Sequence, residues 1–406
     1  MDYALFERGE GSVARILGPF EARGTGTFAS HKFVFASHDE PTVALAKFEA
    51  TGAPNNLMPY DPYHVDGNEE QTRQNLAQLS ENERQMYHKW RKTIRFNEEY
   101  KKVTGRAYLS AYPRASPSHF MWPADYFGQE HWVTTRETHF DALPPDVMMS
   151  PIVSQGKARR LEPHHPRLLH KYRTQESSSS TLNMTLKVIS CAPRAFEIPN
   201  FLSAVEVQHI LNVAAAEELK VSTTGDANRK EPQSHSTRSS RNSWLLRDKS
   251  PIIDAIYRRA ADLLQIDEAM MRHRPDGELS DLPTTRPIVE QLQPVHYDVG
   301  QEYTAHHDFA YPSINDQFQQ ARYATLLLYL NEGMRGGETT FPRWSNAETF
   351  EQLRVVPQIG KAVLFYNILP DGNMDDLSQH EARKIRLGEK WLINLWVWDP
   401  FNTRSA

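Results

Sequence analysis

The chain has 406 residues, a formal net charge of −5 and one cysteine, Cys191. That charge excludes the strongly basic footprint of a typical nucleic-acid-binding domain, and one cysteine excludes intrachain disulfides and Cys-rich zinc sites. Hydrophobic residues at 39% and aromatics at 10% supply a sizeable core.

No run of 18 apolar residues occurs, so no membrane span is expected. The opening MDYALFERGEG lacks the apolar centre of a leader peptide. The chain reads as soluble, and cytoplasmic by default unless a removed leader preceded it.

Residues 1–60 form a small β-rich module in this reading. Phe28–Ala36 alternates as a strand, and PTVALAKFEA provides another. Residues 61–175 combine one helix with irregular, Pro- and aromatic-rich chain. The helix starts at a capping box, Ser80 to Glu83, and carries Met86, Trp90 and Ile94 as an apolar stripe. The serine run at 176–183 is a linker.

Residues 184–406 read as one domain. Ser203 and Glu206 form a second capping box before the stripe Val207, Ile210, Leu211 and Ala214. Loop 220–242 is long and polar, as a lid would be. Ser250 and Pro251 open another helix. Strands follow at VEQLQPVHY, RYATLLLYL, KAVLFYN and KWLINLWVW. Helices followed by short strands suggest a mainly β (α+β) fold, an antiparallel sandwich or barrel with flanking helices.

The chemistry concentrates in YDVGQEYTAHHD, Tyr297 to Asp308. Side chains two apart share a strand face, so His306 and Asp308 point together and His307 points away. Such a pair needs a third ligand to make the facial triad of a non-haem iron centre. His64 and Asp66 repeat the spacing, but in Pro-rich chain without strand pattern. His164, His165 and His170 sit among Pro, Arg and Lys and read as solvated surface.

The C-terminal LSQHEARKIRLGEKW places Lys390 ten residues after His380. With the Tyr297–Asp308 stretch, RYAT from Arg322, GGETTFP from Gly336 and TRSSRNSWL from Thr237, residues 195–400 resemble the prolyl 4-hydroxylase branch of the Fe(II)/2-oxoglutarate dioxygenases. The resemblance implies a double-stranded β-helix (jelly roll). It implies iron on His306, Asp308 and His380, and 2-oxoglutarate against Lys390, lined by Tyr297, Thr339 and Trp396. Arg322, Trp398 and Arg238 would face a protein or peptide substrate. O2 and ascorbate complete the implied reaction, hydroxylation coupled to decarboxylation of 2-oxoglutarate. Arg241 and Trp398 stand where the family commonly has Gly and His, which leaves the substrate open. A non-prolyl target, or a binding protein with a vestigial iron site, are the alternatives.

Overall fold

The computed structural model describes residues 3–7, 13–17, 29–51, 59–109, 114–142, 181–222, 238–274, 282, 286–309, 321–344, 346 and 350–399. Two compact units divide them. One comprises Met1–Ala115, Ala310–Gln319 and Gly372–Met374; the other comprises Ser116–Phe309, Gln320–Asp371 and Asp375–Ala406. The division falls after Ala115, upstream of the expected 176–183 linker. Residues 176–180 lie outside the described chain, and Leu182 already begins a strand.

In the first unit, β1 (Tyr3–Glu7), β2 (Val13–Leu17), β3 (Lys32–Ser37) and β4 (Ala44–Glu49) make an antiparallel sheet in the order β2-β1-β3-β4. The helix Glu81–Thr104 starts at the Ser80–Glu83 capping box and ends at Gly105 in the left-handed region. Its buried side carries Tyr87, Ile94 and Asn97, with Met86 only half-buried, so the apolar stripe is rotated from the expected one. The rotation lets the Tyr87 hydroxyl reach the Asp61 carboxylate at 3.1 Å.

In the second unit, β5 (Glu130–Thr135) pairs along its length with β6 (Leu182–Cys191), which turns back as β7 (Arg194–Ile198). The short β8 (Lys220–Val221) and β9 (Arg241–Asn242) close the far edge. Eight further strands follow. They are β10 (Gln293–Tyr297), β11 (Tyr303–His306), β12 (Arg322–Tyr329), β13 (Thr339–Phe341), β14 (Leu353–Val355), β15 (Ala362–Tyr366), β16 (His380–Ala382) and β17 (Lys390–Trp398).

The large sheet runs β5-β6-β7-β15-β12-β17-β10-β9-β8 and the small one β11-β16-β13-β14. Strands β10, β12, β15 and β17 thus form one antiparallel four-stranded layer and β11, β13, β14 and β16 the other, the jelly-roll topology. Val295, Leu327, Val363 and Leu392 of the large sheet pack with Phe341, Val355 and Ala382 of the small one. Strands β12 and β15 are buried on both faces, which explains their unbroken apolar runs.

Helices Ala204–Ala216 and Pro251–Leu264 flank the large sheet's domain, starting at the expected Ser203 and Ser250 caps. Arg259 joins them. Its guanidinium meets both oxygens of Glu206 at 2.8 and 2.9 Å, with both side chains fully buried. It also donates to the carbonyls of Phe201 and Glu137 at 2.6 and 3.1 Å, so its donors are well satisfied. No helix among the described residues is long and apolar enough to cross a membrane.

Candidate active site

Antiparallel pairing of β11 with β16 sets His306 opposite His380. Their ring centroids lie 4.3 Å apart. Each Nδ1 sits beside a backbone carbonyl two residues earlier, Thr304 at 2.8 Å and Ser378 at 3.0 Å. A ring N–H donating there leaves the Nε2 lone pair free on both rings. Tyr303 stacks on His306 at 3.5 Å, and the Phe365 ring lies 4.7 Å from His380. Burial, reinforced by the neighbouring His380, depresses the His306 pKa and keeps that ring neutral.

Asp308 lies just past the end of β11, where the chain bends. Its side chain still reaches the face of His306, with Oδ1 3.9 Å from that Nε2 and Oδ2 3.7 Å from the Nε2 of His380. All three potential ligand atoms lie within 4.8 Å of one another. Oδ2 accepts from the Thr325 hydroxyl at 2.6 Å and from the Trp396 indole at 2.9 Å. Thr325 in turn accepts from the Asn367 amide at 3.0 Å. Burial alone would raise the Asp308 pKa; His380, Arg322, His306 and the Thr325 hydrogen bond overcome it and hold the carboxyl well below its usual range. Two imidazoles and a carboxylate converging on one point suit a divalent iron with coordination positions left open.

Lys390 opens β17 directly opposite Tyr297 on β10 and is fully buried. Its Nζ donates to the Gly337 carbonyl at 2.6 Å and to Thr339 Oγ1 at 3.4 Å, while Tyr329 donates to that same Oγ1 at 2.8 Å. Among the described residues no carboxylate pairs with it. Burial pushes the amine down to about 7, with Glu338 acting weakly the other way. A buried ammonium lacking a counter-ion is costly, so the pocket favours a small anion. Tyr297 is buried beside it, its phenol raised by burial with Arg238 and Ser240 opposing. Gly337 explains part of the Gly-Gly motif: its φ is +78°, and a Cβ would stand 2.6 Å from Ile385 Cδ1 and 3.4 Å from Lys390 Cδ.

On the rim, the Arg322 guanidinium lies 3.9 Å above the Trp396 ring and binds both oxygens of Glu290, at 2.7 and 3.1 Å. The Trp398 indole donates to the same carboxylate at 2.9 Å. Arg238 packs 4.8 Å over Tyr303 and donates to Ser240 at 3.0 Å. Trp244, half exposed, stands 6.2 Å from Trp396.

The fold therefore gathers His306, Asp308, His380, Trp396 and Arg322 at one point, and Lys390, Thr339 and Tyr297 at another in the same core. Trp396, expected to line the co-substrate pocket, donates its indole N–H to the Asp308 carboxylate at 2.9 Å. His307 turns to the Asp376 carbonyl at 3.1 Å. The His64 ring meets Asp66 at 3.0 Å on exposed chain. His164, His165, His170 and residues 223–237 of the expected lid lie outside the described residues. The sequence reading missed Thr325, Asn367, Glu290 and Tyr303. Thr325 stood inside the quoted RYAT stretch, and Tyr303 three residues before His306, a position already chosen.

Residues 292–398 match the family model described as the 2OG-Fe(II) oxygenase superfamily. A probable prolyl 4-hydroxylase 3 of Arabidopsis thaliana is 30% identical over 223 residues, which are 52% of this chain and 71% of the relative. Prolyl 4-hydroxylase 2 of the same plant is 30% identical over 236 residues, 54% and 73% of the two chains. A solved viral collagen prolyl hydroxylase from Paramecium Bursaria Chlorella virus-1 is 22% identical, with a TM-score of 0.36, covering 50% of this chain and 95% of the other.

Proposed function

Since the chain belongs to the prolyl 4-hydroxylase-like Fe(II)/2-oxoglutarate-dependent oxygenases, we propose that it hydroxylates a prolyl residue of a protein or peptide. Iron(II), 2-oxoglutarate and O2 are the cofactors of this enzyme class; ascorbate is proposed as the reductant that sustains turnover. Bound iron and 2-oxoglutarate would supply the oxidising power to replace a C–H hydrogen by hydroxyl, with succinate and CO2 as co-products.

The protein's part is positioning. His306 and His380 would offer Nε2, each held by its carbonyl-bonded Nδ1. Asp308 would offer Oδ1, because Oδ2 is already occupied by Thr325 and Trp396. Lys390, with the hydroxyls of Thr339 and Tyr297, would take the distal carboxylate of 2-oxoglutarate. The apolar walls around it exclude water and strengthen that ion pair. Arg322, Trp398 and Arg238 would contact the substrate from the rim.

The observation that carries this reading is Lys390, a fully buried amine with no carboxylate partner among the described residues, set in the core that also holds the three converging ligands. Succinate release from 2-oxoglutarate, with Fe(II) and ascorbate, tests it. Stimulation by a proline-rich peptide, an added oxygen on a peptide proline by mass spectrometry, and loss of both in His380→Ala are expected. Turnover indifferent to such peptides would overturn the prolyl assignment while leaving the oxygenase.

A further inference from the structure

A second set of ligand-type side chains stands at the ends of the same two strands. Side chains alternate along a strand, so His296, itself largely buried, takes the face of β10 opposite to Tyr297, while Asp298 and Glu389 stand just beyond the strand ends. His296 Nε2 lies 2.7 Å from Glu389 Oε2 and 3.7 Å from Asp298 Oδ1. The three ligand atoms fall within 4.8 Å of one another, the only such group among the described residues besides the iron-type set.

We propose that His296, Asp298 and Glu389 form an accessory site for a borderline divalent cation of the Zn2+ type. Ligands on a tetrahedral ion with bonds of ~2.0–2.1 Å stand ~3.3 Å apart, a value the two observed separations straddle. One imidazole with two carboxylates suits Zn2+ better than Mg2+, which prefers an all-oxygen, octahedral shell. Three protein ligands leave room for water, and both carboxylates are about half exposed, so a cation can enter from solvent.

Stacking and hydrogen bonds brace the chain around the three. The His296 ring stacks on Trp391 at 4.3 Å, which fixes its plane. Asn331 grips the main chain on both sides of Lys390, donating to the Glu389 carbonyl at 2.9 Å and accepting from the Trp391 amide at 2.7 Å. The Asp298 amide donates to Gln301 at 2.9 Å within its turn. Nε2–H now donates to Glu389, so a cation would take that proton's place, with the ring proton shifted to Nδ1 or released to solvent. It would draw the two carboxylates inward against the loss of this part-buried hydrogen bond.

This site does not depend on the iron reading, and the experiment separates the two. In the full chain carrying Asp308→Ala and His380→Ala, Zn2+ is titrated by calorimetry, with and without Asp298→Asn plus Glu389→Gln. Both added changes are surface neutralisations that keep side-chain size; His296→Gln serves as an independent variant, and thermal melts check the fold of each. The expected result is one equivalent of Zn2+ fewer per chain in the variants, and no comparable response to Mg2+. Unchanged Zn2+ stoichiometry and affinity would overturn the proposal. So would equal binding of Mg2+, which would reduce the group to a diffuse negative patch.

Discussion

Thr325 donates its hydroxyl to Oδ2 of Asp308 across 2.6 Å, and both side chains are buried. The bond fixes the carboxylate so that Oδ2, the bonded oxygen, lies towards His380 and Oδ1 lies towards His306. Thr325→Val keeps the shape and deletes the donor. Loss of a hydrogen bond to a charged group is worth about 1.5–3 kcal/mol, and partners of metal ligands commonly carry 10–100-fold in affinity. Iron(II) or manganese(II) affinity of Thr325→Val is expected to fall by at least tenfold, with Thr325→Ser close to wild type. Direct metal titration in the absence of substrate measures it.

Trp396 is the second donor to that oxygen, at 2.9 Å, and its ring lies under the Arg322 guanidinium. Trp396→Phe removes the N–H and keeps an aromatic face. The expected effect on metal affinity has the same sign as Thr325→Val. Because both act on one atom, the double variant should depart from the sum of the two singles by at least ~0.5 kcal/mol. Strict additivity would show that the two donors act independently.

Lys390 makes a prediction about pH. Its folded-state value is lowered to about 7, whereas an unfolded lysine titrates near ~10.4. Between those values the unfolded chain binds more protons, so stability rises with pH across the window; below about 7 the full penalty of burying the charge applies. Lys390→Met removes the penalty. Without 2-oxoglutarate the variant is expected to be a few kcal/mol more stable than wild type at pH 7, with the gap narrowing at pH 9. It should also lose the stabilisation that 2-oxoglutarate gives wild type. Urea midpoints at both pH values, with and without co-substrate, give all four numbers.

The buried Arg259–Glu206 pair predicts a different pattern. Removing either partner strands a charge in the interior and should cost about 3–5 kcal/mol, while Arg259→Met with Glu206→Leu should cost much less than the two singles summed. Burial would raise the Glu206 carboxyl, but Arg259 overrides it and holds it below its usual range. The folded value is the lower one. The pair's contribution is therefore complete above the unfolded value of ~4.3 and fades as pH falls below it. Denaturant melts at pH 6 and pH 3.5 would register the loss in wild type and its absence in the double variant.

Some of this was legible in the chain and some was not. The capping boxes at Ser80 and Ser203 are local hydrogen-bond patterns, so the sequence announced both helix starts. Strand parity set His306 apart from His307 in the sequence, although β11 ends at His306 and Asp308 reaches the same side from the bend that follows. His380 has no such local mark: its strand is three residues long, and it meets His306 through pairing across 74 positions of chain. Only the family resemblance singled it out. Thr325 and Asn367 were hidden for the same reason, since each matters through a neighbour far away in sequence. The β5 strand was lost in an aromatic-rich stretch where exposed Trp132 and half-buried His131 blur the alternation.

The face-to-face registration of His306 with His380 has one more consequence. A strand can shift only in whole residues, and a shift of one turns every side chain to the opposite surface. The spacing between these imidazoles is thus a discrete variable. Substitutions nearby can detune it, but inserting a single residue into Tyr303–His306 or His380–Ala382 should switch it off outright.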